Sequence, residues 1–315
     1  MPDQPGLLRE GFRRTWRYQR VIWFIFVINL VLGHFGASPA IHKLDGVTDH
    51  SLYSQRLSNM FDLGTFSALA SNPEVKLFEG ARVSISLSLV FFVVMMFLTG
   101  GILEAYRADR RLTTREFFEA CGAYLWRWVR LLILMGIILI PVLMIVSSAL
   151  GKLSFGDLNA AQEKPAFWML LGTIAITAFL LMSIRLWFDM AQVRAVVEEE
   201  TGMLHNADRA FRLTLANFGS LFWMYARISI LGWLIFAAGL CVWAKMPPAR
   251  FLWTFLVLEL VVLCGFGTRL WQRSCEMVWY QRRFLAPLAA PITAPVAPTP
   301  SSLVTIAPPP QSSPM

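Results

Sequence analysis

Six long, nearly uncharged apolar runs, separated by segments that hold most of the charge, limit this chain to one architecture. The runs cover about Val21 to Gly36, Val83 to Leu103, Leu131 to Leu150, Ala166 to Ile184, Phe218 to Trp243 and Phe251 to Thr268. Apolar stretches of about 18 residues or more suit helices crossing a hydrocarbon core of roughly 30 Å. Lipid offers the backbone no hydrogen-bond partner, and the short alternating segments of a β-barrel are absent, so the runs are expected to be helical. The balance of residue types agrees: 15% are charged, against about 25% in soluble domains, and the mean hydropathy is +0.55. The expected fold is therefore all-α, a polytopic membrane protein with six transmembrane helices over residues 21–283.

The charge sets the orientation. Lys and Arg number five before Val21, six from Tyr106 to Arg130, three from Met190 to Asn217 and four from Arg269 onward, 18 of the 28 in the chain. Excess basic charge marks the cytoplasmic side, so both termini are expected in the cytoplasm, in a bacterial inner membrane. Trp23, Trp126, Trp128, Trp187, Trp223 and Trp271 then fall at inner ends, and Trp168, Trp243 and Trp253 at outer ends, as an aromatic belt requires. The net charge of +8 sits beside apolar runs and on no separate soluble domain, which favours anionic lipid headgroups as partners and no nucleic acid.

Residues 1–20 form a basic segment with Leu8, Phe12 and Trp16 at i, i+4 spacing, the pattern of an amphipathic helix lying on a membrane surface. The small residues from Gly36 to Ala40 resemble a signal-peptide cleavage site. The long basic lead and the bulky Trp23, Phe24 and Phe26 favour an uncleaved anchor. The longest connection is expected from Ala37 to Ala81, a short loop from Gly151 to Pro165, and a tight turn at Pro247-Pro248. Pro141 should kink the third span, and Gly100-Gly101 should allow a close backbone approach. Residues 284–315 hold nine prolines and no charge, the composition of a disordered tail.

A threefold pattern emerges on alignment. REGF (Arg9 to Phe12), REFF (Arg115 to Phe118) and DRAF (Asp208 to Phe211) each precede an odd-numbered span. Arg185-Leu186-Trp187 and Arg269-Leu270-Trp271 mark the inner ends of two even-numbered ones. Thr113 to Glu116 reads as a capping box opening a helix with Phe117, Phe118, Cys121, Leu125 and Trp128 on one face. Two readings stand: three tandem units of an amphipathic helix plus a two-span hairpin, or interfacial chemistry alone imposing arginines and aromatics. With its helices of the RAFRLTLANFGSLF type ahead of spans, the chain resembles the bacterial membrane domain fused to glycerophosphoryl diester phosphodiesterases and its stand-alone relatives. That resemblance implies a fold over about Leu7 to Arg283; no phosphodiesterase domain is present, and it transfers no catalytic residue.

Six residues form a candidate intramembrane polar site. Glu259 lies about eight residues into the sixth span, roughly 12 Å from its outer end, where a carboxyl is neutral, paired or facing a wet cavity. Arg227 and Arg269 are expected at similar depth, and Glu104, Arg185 and Asp189 at comparable inner ends, with Arg185 and Asp189 spaced for an ion pair. Together they read as a polar collar or lipid-phosphate site, or as arginines snorkelling to headgroups. His42, Asp45, Asp49 and His50 lie close in sequence without a metal-ligand spacing, His34 and His205 have no evident partner, and Glu198 to Glu200 suits a solvated face. The four cysteines form no CxxC pair, so neither a disulfide framework nor a cysteine metal site is expected. No metal, cofactor or nucleotide motif, GxSxG or HExxH is found. The expected role is a non-enzymatic accessory, envelope or lipid-contacting protein. The alternative is a small secondary transporter or channel with Glu259 as coupling site, and an intramembrane lipid-modifying enzyme lacks a catalytic constellation.

Overall fold

A computed structural model describes residues 6–48, 64, 77–152, 160–246 and 250–285. Within these lie helices α1 (Leu7–Arg17), α2 (Gln19–Thr48), α3 (Leu77–Ala108), α4 (Thr114–Lys152), α5 (Ala160–Val197), α6 (Met203–Ala216), α7 (Phe218–Lys245) and α8 (Phe251–Tyr280), closed by a π-helical turn at Gln281–Leu285. No strand occurs among the described residues. Six of the helices, α2, α3, α4, α5, α7 and α8, are long and apolar enough to cross a membrane. The molecule is a multi-pass, all-α membrane protein.

Several boundaries differ from the sequence expectation. α2 continues through Pro39 to Thr48 and α3 begins at Leu77, so the first connection is shorter than Ala37 to Ala81. α4 runs to Lys152 and α5 starts at Ala160, which shortens the second. α8 extends past Thr268 to Tyr280, because Arg269, Gln272, Arg273 and Glu276 recur on one helical face that turns inward, where the first three find hydrogen-bond partners. Phe284 and Leu285 belong to the π-helical turn and not to the tail; Phe284 packs on Tyr280 at 4.9 Å. The expected Pro247-Pro248 turn, residues 286–315, and Asp49 and His50 lie outside the described residues.

The capping box is complete. The Thr113 hydroxyl accepts from the Glu116 N–H at 3.3 Å, and Glu116 accepts from the Thr113 N–H at 2.8 Å. α4 then continues through Pro141 into its span without interruption.

Packing follows a cyclic rule. Adjacent spans pair as the hairpins α2 with α3, α4 with α5, and α7 with α8. Each amphipathic segment docks on the basic end of an even-numbered span: the start of α4 on α3, α6 on α5, and α1 on α8, so the first unit closes on the last. The phenylalanine ending each tetrapeptide meets an aromatic ring of that span: Phe118 on Phe97 at 6.2 Å, Phe211 on Trp187 at 4.9 Å, Phe12 on Trp271 at 5.4 Å. The indole N–H of Trp187 donates to Ala207 O at 2.8 Å and that of Trp271 to Leu8 O at 2.9 Å, and each acceptor immediately precedes its tetrapeptide. Asp109 and Glu199, each twelve positions past the anchoring aromatic, both adopt the left-handed backbone at φ 46° and 53°. Left-handed non-glycine residues are uncommon, so their recurrence at one repeat position is a shared helix ending.

α1 is consequently more than a surface helix. Gly11, Arg14 and Thr15 are buried, Gly11 against Cys275 of α8 and Arg14 against Tyr106 of α3 and Gln281, while Phe12 and Trp16 stay exposed. A Cβ at Gly11 would overlap Cys275 Sγ, and one at Gly101 would lie 2.7 Å from Cys121 Sγ and 2.8 Å from Phe117 O. Gly100-Gly101 thus gives the close approach that the sequence suggested.

The core sits at the arginine-rich end. Leu98, Tyr106, Cys121, Trp128, Leu186, Met190, Leu221, Ile228 and Met277 are buried there. In the most apolar 18-residue windows of α5 and α8 nothing is buried, and in α3, the best covered, 28% is. The spans keep wide apolar faces for lipid.

Candidate functional site

The polar groups converge where the even-numbered spans emerge from their apolar runs. Arg269, Gln272, Arg273, Glu276 and Tyr280 follow i, i+3, i+4, i+7, i+11 along α8 and so share one face. α5 presents Asp189 to it. Arg269 donates to Asp189 Oδ1 at 2.7 Å and to the Tyr225 hydroxyl at 3.1 Å. Gln272 donates to Ser229 Oγ at 2.7 Å, and Arg273 to Thr99 Oγ1 at 2.8 Å. Thr99, Asp189 and Arg273 each lie two positions past Phe97, Trp187 and Trp271, so the three even-numbered spans place equivalent residues at the centre.

Glu276 is fully buried, and neither of its carboxyl oxygens has a hydrogen-bond partner. The charges of Asp189, Arg269, Arg273 and Arg185 all act on it. One oxygen of Asp189 is likewise buried without a partner. Four helices, α3, α5, α7 and α8, are tied together by this cluster. A buried pair of this kind roughly balances desolvation against attraction, yet losing one partner leaves a costly orphan charge.

Only part of the six-residue expectation holds together. Asp189 and Arg269 are direct partners. Arg185 is exposed and makes no ion pair with Asp189; the expected i, i+4 bridge is replaced by the cross-helix one, since Arg269 offers a buried geometry. Arg227 points outward, its guanidinium 5.0 Å from the Trp223 ring centre, and the inward-facing neighbour is Tyr225. Glu104 belongs to a separate rim network, bridged to Arg107 at 2.9 Å, which also reaches Glu199 at 2.8 Å. Glu259 stands ten residues before Arg269, about 15 Å along the helix, with one carboxyl oxygen buried and unpartnered. Arg273 and Glu276 were missed; their spacing from Arg269 was the available signal.

A second network fixes α1. Arg14, buried, donates to Tyr106 O at 3.0 Å, Gln281 Oε1 at 2.7 Å and Glu10 Oε1 at 2.7 Å, while Arg282 also pairs with Glu10. Burial alone would raise the Glu10 pKa, but the guanidinium groups of Arg282 and Arg14 outweigh it and hold the carboxyl below its ordinary value. Arg17 bridges Asp109 at 2.8 Å. Glu198 and Glu200, expected on a solvated face, engage Arg194 at 2.6 and 3.5 Å, and Glu198 accepts from Tyr280. Hydrogen bonding from Arg194 lowers the Glu198 pKa. His205 lies 3.9 Å from Glu200. His34 and His42 are exposed, and the side chain of Asp45 is not described.

Chemically, these clusters pair charges and hold helices in register. Among the described residues no three His, Cys, Asp or Glu side chains are grouped to hold a metal ion, and Cys121, Cys241, Cys264 and Cys275 are free thiols. No protein-family model, curated protein or solved structure matches the chain.

Proposed function

We propose that this protein is a non-enzymatic, lipid-contacting accessory protein of a bacterial inner membrane, its arginine-rich end set at the anionic cytoplasmic leaflet. The observation that carries this reading is how the arginines divide. Arg14, Arg194, Arg269 and Arg273 lie inward and are held by protein partners. Arg9, Arg13, Arg20 and Arg111 are exposed and have no ion pair or hydrogen bond among the described residues. Exposed Trp16 and Trp126 border the same end. A set of unpaired cations beside interfacial aromatics is what attraction to anionic headgroups uses, each cation contributing roughly 1 kcal/mol. The pattern resemblance to the phosphodiesterase membrane domain is consistent with a membrane-embedded accessory role.

Reconstitution into zwitterionic vesicles doped with spin-labelled phosphatidylglycerol tests it. The motionally restricted fraction should show enrichment of the anionic lipid, lost as salt is raised. Equal partition of anionic and zwitterionic labels would refute the reading.

A transporter is the second reading, favoured by one observation: Glu276 buried without a hydrogen bond amid Asp189, Arg269 and Arg273. Proteoliposome flux decides it. The accessory reading expects no proton or solute movement, and Glu259→Gln and Glu276→Gln without effect on the lipid preference. A pH-dependent flux abolished by either substitution would establish the transporter instead.

A further inference from the structure

A cavity of about 380 Å³ opens between the α1–α2 junction and the turn from α3 into α4. Its walls have two chemistries. Arg17, Arg20 and Arg111 line it, with no acidic residue among the lining groups. Phe24, Phe117 and Phe118 line it as well, and Phe24 and Phe118 are 48% and 44% exposed. Phe24 follows Arg20 by four residues on α2, so the aromatic floor lies one helical turn deeper into the span than the cation above it.

The three cations differ in availability. Arg17 is committed to Asp109. Arg20 and Arg111 are exposed and have no hydrogen bond or ion pair among the described residues. Thr113, which caps α4, and Thr114, its first residue, also line the cavity. Cations at headgroup level over an aromatic floor that continues into the span match an amphiphile with an anionic head and an apolar tail. A free inorganic anion would satisfy the arginines and leave the floor uncovered.

We propose that this cavity is a binding site for one phospholipid, its phosphate held between Arg20 and Arg111 and an acyl chain laid over Phe24, Phe117 and Phe118. The site deepens the lipid-contact reading and rests on it, turning a diffuse attraction into a defined position. Binding would brace the α1–α2 junction against the α3–α4 turn, two segments already joined by Arg17 and Asp109.

Native mass spectrometry of the full-length protein, purified in mild detergent and supplied with phosphatidylglycerol, tests the site. One tightly retained lipid is expected. Arg20→Gln with Arg111→Gln should lower its retention about thirtyfold, and both positions are exposed, so the thermal unfolding temperature in lipid-free detergent should not move. Phe24→Ala should weaken phosphatidylglycerol retention while leaving the arginines in place. Inorganic phosphate at millimolar concentration should not displace the lipid; if it competes fully, the site is a free-anion site and the proposal is wrong. Unchanged retention in the double arginine variant also overturns it. Salt-sensitive enrichment of anionic lipid in vesicles without this retained lipid would sink the site alone, whereas absence of both would sink the broader reading too.

Discussion

Asp189 and Glu276 are both buried carboxyl groups in one cluster, yet their substitution should have opposite consequences. Asp189 accepts a charged hydrogen bond from Arg269 at 2.7 Å. Asp189→Asn leaves Arg269 buried without its counter-charge, a loss of about 3–5 kcal/mol. Glu276 accepts none, and a carboxyl buried without hydrogen bonds is costly when charged. Glu276→Gln keeps shape and volume, so thermal unfolding in detergent should shift little, while Asp189→Asn should lower the midpoint clearly. Equal large losses would mean that Glu276 is an essential ion-pair partner. Acid should loosen α1. The Glu10 pKa is depressed in the folded state, so its contribution is complete above the ordinary value of 4.5 and is lost as pH falls below it through the folded value. Hydrogen exchange across Leu7–Arg17 should accelerate over that acid range in the wild type, and Glu10→Gln should show fast exchange already at neutral pH. These roles were only half legible. Arg269 and Asp189 were visible as charges at span ends, but their pairing joins residues 80 positions apart, and the local spacing of Arg185 to Asp189 pointed to the wrong partner.

At the scale of elements, the three amphipathic helices make one contact in three places. The tetrapeptides and the Arg-Leu-Trp pair were readable because the same residue types recur. Phe97 was not, since phenylalanine stands there for tryptophan, and Thr99, Asp189 and Arg273 share a position but no chemistry. Their equivalence appears only through what they touch. The close contact at Gly101 is the most sensitive of these junctions. Gly101→Ala places a methyl 2.7 Å from Cys121 Sγ and Phe117 Cε2 and 2.8 Å from Phe117 O, where the backbone oxygen cannot move aside without shifting α4. Overpacking of this kind costs about 1–3 kcal/mol, read as a lower unfolding midpoint, and Cys121→Ala added to it should recover only part because Phe117 O remains. Gly122→Ala, where an added Cβ meets nothing within 4 Å, should leave the midpoint unchanged or raised.

For the whole molecule, a buried core at one end and exposed apolar spans at the other divide the labour between protein and lipid. Hydropathy revealed the spans because lipid-facing residues need only be apolar. The core escaped it: Ala191, Val193, Ala195 and Val196 are fully buried beyond the end of the fourth apolar run, in a segment whose charges suggested solvent. Helical continuation of α5 and α8 past their apolar runs is what builds this end, and it carries both the interior ion pairs and the free arginines. Which side of the membrane that end occupies is therefore decisive for the lipid-contact reading. Arg115, 88% exposed in its side chain at the start of α4, and exposed Lys245 at the far end of α7 report the two sides. With Cys241, exposed on the Lys245 side, and Cys264 first replaced by Ser, Arg115→Cys and Lys245→Cys introduced separately and a membrane-impermeant maleimide applied to intact spheroplasts, the Lys245→Cys protein should label and the Arg115→Cys protein only after lysis. The reverse pattern would contradict the account.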